Sequence, residues 1–69
     1  MNKQELLSVM VKNGDRQIDL AEALGISKTR LSQKINEYRG AVFTQPEITA
    51  IRIRYHLTDA EVCAIFFNH

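Results

Sequence analysis

Leu20-Ala21-Glu22-Ala23-Leu24-Gly25-Ile26-Ser27-Lys28-Thr29-Arg30-Leu31-Ser32-Gln33-Lys34-Ile35-Asn36 is the stretch that decides the fold. Leu20, Ala21 and Leu24 recur at helical spacing and make one apolar stripe. Gly25 stops that helix, because glycine enters the left-handed region at little steric cost. Ser27 can accept a backbone N–H and so cap a second helix. In that second run only Leu31 and Ile35, four apart, point inward. Lys28, Thr29, Ser32 and Gln33 fall on the other faces. Two short helices around a tight bend are therefore expected, the second presenting a polar and basic surface.

Outward from this pair, the periodicity predicts three more helices. The first spans about Lys3 to Lys12, with Leu6, Leu7, Met10 and Val11 on one face and Asn13-Gly14 as its stop. The second spans about Arg16 to Leu24, with Asp15 as its expected cap, and the third about Lys28 to Glu37. Arg39-Gly40 ends that run, and Ala41-Val42-Phe43 is an extended connection whose Phe43 fills the core. Thr44-Gln45-Pro46-Glu47 is a capping box with proline in the first turn, where its missing N–H costs little. It opens a fourth helix with Ile48, Ile51 and Tyr55 as its stripe. Thr58-Asp59-Ala60-Glu61 is a second capping box and opens a fifth, with Val62, Ile65 and Phe66 at helical spacing. No segment alternates with period two, so an all-α chain is expected.

Sixty-nine residues, 45% of them hydrophobic, suffice for one small folded domain over residues 1–69. No apolar run approaches the roughly 20 residues of a membrane span, and MNKQELLSVM lacks the apolar core of a signal peptide. The single cysteine, Cys63, excludes an internal disulfide and fits a reducing cytoplasm; it is expected as a small buried hydrophobe. His56, His69 and Cys63 lack metal-site spacing, so neither a metal nor another cofactor is expected. No Ser–His–acid set or glycine-rich phosphate loop is visible, which argues against an enzyme.

The net charge of +1 hides an uneven distribution. Residues 1–26 carry −1 and residues 40–69 carry −1. Residues 27–39, with Lys28, Arg30, Lys34 and Arg39 against Glu37, carry +3. A local patch, not the total, is what a polyanion senses within a Debye length of about 10 Å.

The pattern Gln17-x-x-Leu20-Ala21-x-x-Leu24-Gly25-Ile26-Ser27-x-x-x-Leu31-Ser32 resembles the helix-turn-helix of phage repressor and Cro-type regulators, the XRE-like family, in its short Cro-like form. The match covers about residues 16–37. Phe43 to Ile48, Leu57 and Ile65-Phe66-Phe67 extend it more loosely. The resemblance implies a five-helix lambda-repressor-like DNA-binding domain whose third helix enters the major groove. It implies base contacts from Lys28, Thr29, Ser32 and Gln33, with Gln33 suited to adenine and Lys28 to guanine. It also implies phosphate contacts from Gln17 and Asn36. Position and charge add Ser27, Arg30 and Arg39. Whether Lys28 meets a base or a phosphate stays open, and for either Lys34 or Arg39 taken singly a plain solvated face is the preferred reading.

Arg16 departs from the family pattern, which has Thr, Ser or Asn there, and Asp15 would repel a nearby phosphate. Ile65, Phe66 and Phe67 are too many large apolar groups for one short helix to hide. They either pack back over the first helix or form a homodimer contact. The expected function is sequence-specific binding of an inverted-repeat operator in double-stranded DNA as a dimer. The alternative is a modulator that binds a partner repressor, and an antitoxin or developmental regulator would share the same chemistry.

Overall fold

The computed structural model describes residues 1–67. The chain is all-α: α1 Lys3–Lys12, α2 Gln17–Leu24, α3 Lys28–Ile35, α4 Gln45–Tyr55 and α5 Asp59–Phe66, with a 3-10 turn at Tyr38–Gly40 between α3 and α4. No strand occurs among the described residues. Each helix supplies one fully buried aliphatic side chain: Leu6, Leu20, Leu31, Ile51 and Ile65. These meet at the centre and tie all five helices to one core. Burial of each contributes roughly 1.5–3 kcal/mol.

Local sequence accounts for the boundaries. Asn2 caps α1 by accepting the Glu5 N–H at 3.1 Å, and the Asn2 N–H donates to the Ile65 carbonyl at 2.6 Å, tying α1 to α5. Leu6 and Met10 are buried, but Val11, expected on the same face, is 77% exposed. At 100° per residue it lies about 140° from Leu6, beyond the edge of the stripe. The stop at α2 is as expected: Gly25 has φ 71°. Its N–H donates to Glu22 O and that of Ile26 to Ala21 O, at 3.1 and 3.0 Å. The same paired bonds close α4, where His56 takes the left-handed position with φ 53°. Both capping boxes form, with Thr44 to Glu47 opening α4 and Thr58 to Glu61 opening α5.

Three expectations need correction. Arg16, not Asp15, is the N-cap of α2. Its own side chain accepts nothing, and the Asp19 carboxylate reaches back to the Arg16 N–H at 2.8 Å instead. Helix α3 ends at Ile35 rather than Glu37, because Asn36 folds its side-chain amide onto Ser32 O at 2.8 Å and Glu37 turns left-handed with φ 52°. Cys63 is exposed, since it lies on the outer face of α5 between Val62 and Ile65. No helix among the described residues is long and apolar enough to cross a membrane.

Candidate nucleic-acid interface

Leu31, Lys34 and Ile35 sink one side of α3 into the core, and α3 packs closely on α2. The remaining sides are therefore fixed. Lys28, Thr29 and Arg30 are exposed at the start of α3, and Ser32 and Gln33 are half-buried beside them. Ser27 Oγ accepts the Arg30 N–H at 3.0 Å, which leaves its hydroxyl proton free to donate outward.

Two shallow clefts flank Gln33. One is lined by Ser32, Gln33, Asn36 and Tyr38, the other by Arg30, Gln33, Tyr38, Arg39, Gly40 and Ala41. Tyr38 belongs to both and is 53% exposed, with the Arg39 guanidinium 5.2 Å from its ring centroid. Glu37 and Arg39 both hold φ 52° without being glycine. Each such conformation costs about 1 kcal/mol or more. This strained turn sets Tyr38 and Arg39 beside Gln33. Tyr38 was missed by sequence reasoning; the exposed aromatic before Arg39-Gly40 was its signal.

A third cleft lies at the amino end of α2, lined by Arg16, Gln17, Ile18 and Lys28. Gln17 and Lys28, eleven residues apart, thus share one surface, with Arg16 as an unforeseen neighbour. Arg16 holds Asp19 through Nε and Nη2 at 3.0 and 3.1 Å. That side-chain pair, with the Arg16 backbone N–H, keeps the Asp19 carboxyl below the usual carboxylate range.

Two sequence-derived residues are occupied otherwise. Lys34, counted in the basic patch, is buried, and its Nζ donates to Glu47 Oε1 at 2.7 Å and to Val42 O at 3.2 Å. Three residues after Leu31 and one before Ile35, it lies along the buried side of α3. Burial pushes the Glu47 carboxyl up, but the Lys34 and Thr44 bonds together hold it below its ordinary value. The Asn36 amide donates to Ser32 and its Oδ1 accepts Lys3 Nζ at 2.9 Å, so it caps α3 and brings Lys3 alongside. Among the described residues, the cations of this face without an acidic partner are thus Lys28, Arg30 and Arg39.

Asp15, expected to repel a phosphate, is paired instead. It accepts Arg54 Nε and Nη2 at 2.7 and 3.0 Å and the Tyr55 hydroxyl at 2.6 Å. The Arg54 bonds, then that of Tyr55, hold its carboxyl below the ordinary range.

On α5, Ile65 is fully buried in the core with Leu6 and Ile51; it is not available as a dimer contact. Phe66 is half-buried, edge-on to Phe43 with ring centroids 5.7 Å apart. Phe67 is 49% exposed. It borders a cleft of about 290 Å³ that Val42, Phe43, Ile48 and Phe66 also line. His69 lies outside the described residues. Among those described, no three His, Cys, Asp or Glu side chains come together as a metal site.

No protein-family model, curated protein or solved structure matches the chain.

Proposed function

We propose that this chain is a sequence-specific DNA-binding transcription regulator of the short Cro-like kind, with α2 and α3 as its helix-turn-helix. One observation carries the reading: the side of α3 turned away from the core is continuous with cationic clefts at both ends. Arg16, Gln17 and Lys28 stand at one end, and Arg30, Gln33, Tyr38 and Arg39 at the other. Helix α3 runs for eight residues, and an α-helix with its side chains is about 10–12 Å across, which a B-DNA major groove about 12 Å wide admits. Gln33 has the donor and acceptor needed to read adenine, and Thr29 offers a methyl to thymine, with Ser32 beside them. Lys28 shares its cleft with Gln17, which favours a phosphate for both. Arg30, Arg39 and Ser27 are further backbone contacts.

Regulation by occupying an inverted-repeat operator in the cytoplasm, as a homodimer on DNA, completes the proposal. The exposed Phe67 and Val42 at the cleft beside α5 supply an apolar surface for the second copy. The same surface favours one other reading, a modulator that docks on a partner repressor.

Selection from a randomised duplex library tests the choice, run with wild type, Lys28→Ala/Gln33→Ala and Phe67→Asp. Direct readout enriches an inverted repeat with wild type and loses it with the double variant, at a cost on the order of 2–5 kcal/mol. Enrichment by neither, with partner capture abolished by Phe67→Asp, supports the modulator.

A further inference from the structure

Asp15 and Arg54 are 39 residues apart, yet they form a two-bond ion pair closed by Tyr55. The Asp15 side chain is 13% exposed and that of Arg54 36%. Asp15 stands two residues before Gln17, at the end of α2 assigned above to a phosphate. Asp19 adds a second carboxylate there, held by Arg16, with the Arg54 charge also near it. The amino end of α2 thus carries two acids, and each is neutralised by a guanidinium. For Asp19 the guanidinium is local. For Asp15 it comes from α4, a helix that contributes no residue to the three clefts along the exposed side of α3.

We infer that Arg54 is a positioning residue for DNA binding: it holds the Asp15 carboxylate against α4 and cancels its charge, so that a phosphate can approach Gln17. This inference rests on the proposed DNA-binding function. The pair bears on the interface through charge, not through shape. For charges on the order of 10 Å apart in an effective surface dielectric of about 40, an uncompensated carboxylate weakens phosphate binding by roughly fivefold at low salt. The effect shrinks as salt shortens the Debye length. Tyr55 supplies the matching control. Its hydroxyl fastens the same carboxylate but carries no charge, so its loss alters the fixing of Asp15 without unmasking it.

The experiment measures affinity for a fluorescein-labelled mixed-sequence duplex of about 30 base pairs, by anisotropy at about 25 and about 200 mM salt. The proteins are wild type, Arg54→Gln, Asp15→Asn, Asp15→Asn/Arg54→Gln and Tyr55→Phe, each checked for folding by circular dichroism. The expected result is that Arg54→Gln weakens binding by roughly fivefold at low salt and less at high salt. Asp15→Asn added to it restores wild-type affinity, and Tyr55→Phe binds as wild type does. A folded Arg54→Gln protein that binds like wild type overturns the inference, as does a double variant as weak as Arg54→Gln alone. Failure of the wild type itself to bind at low salt has a different signature. It removes the DNA-binding reading, and this inference with it.

Discussion

Glu47→Gln removes the charge that Lys34 Nζ needs while keeping an oxygen for the Thr44 N–H. Lys34 is then left with Val42 O at 3.2 Å as its one remaining full acceptor, in a side chain 7% exposed. Breaking one partner out of a fully buried pair costs about 3–5 kcal/mol. The pair here lies near the surface and the lysine stem can bend toward water, which lowers the figure to about 2 kcal/mol. Glu47→Ala also strips the acceptor of the α4 capping box, adding about 1 kcal/mol. Lys34→Met costs about 1.5 kcal/mol, since Glu47 keeps its two Thr44 bonds and the flexible methionine side chain replaces the lysine stem. Lys34→Met/Glu47→Gln leaves no unpaired charge and costs about 1 kcal/mol, so the coupling energy is about 2.5 kcal/mol. A chain of this length has about 3–10 kcal/mol of stability in all, so these shifts are large on its scale. Urea unfolding followed by far-ultraviolet circular dichroism measures them. Single-variant costs that simply add in the double variant, or a Glu47→Ala cost under about 0.5 kcal/mol, would refute the reasoning. Lys34→Met is further expected to leave the salt slope of DNA binding unchanged, because Lys34 is not on the exposed face.

His56→Gly should raise stability by about 0.5–1 kcal/mol and Tm by about 2–8 °C, because φ 53° at the end of α4 suits glycine; a lower Tm would contradict this. Asp15, Asp19, Glu47 and Glu61 all sit below their ordinary ranges, so their stabilisation is complete above the unfolded carboxyl values, about 4, and is lost as pH falls through the lower folded values. Tm should therefore be flat from neutrality to about pH 5 and drop below about pH 4, with a smaller drop in Asp15→Asn; an equal drop in that variant would remove Asp15 from the explanation. Tyr38→Ala should weaken operator binding by about 1 kcal/mol with little change in Tm, as read by anisotropy and calorimetry; unchanged affinity would take Tyr38 out of the interface.

The helices were legible because their signals are local. Thr44-Gln45-Pro46-Glu47, Thr58 to Glu61 and Gly25 each act within four residues, and each formed as read. The core followed from spacing: Leu20, Leu31, Ile51 and Ile65 lie on the stripes that periodicity drew. Lys34 was illegible as a buried residue, because its partner Glu47 stands thirteen residues away and no pattern in either segment links them. Asp15 misled for the same reason, since its acceptor sites are filled from Arg54 and Tyr55 on a distant helix. Asn36 is the converse. Its local bond to Ser32 outcompetes another half-turn of helix and uses the amide that sequence reasoning assigned to a phosphate. The strained turn through Tyr38 depends on that early helix end, so the residues it presents could not be read from periodicity.

The most direct test of the interface is a nitrogen-15 chemical-shift titration of the wild-type chain with the duplex that selection enriches. The expected result is a set of perturbed amides running from Gln17 through Lys28 to Gln33 and on to Tyr38 and Arg39. Ile48 and Ile51 in the core of α4 should stay near their starting positions. Perturbations confined to Val42, Phe66 and Phe67, or none at saturating duplex, would contradict DNA recognition through α3.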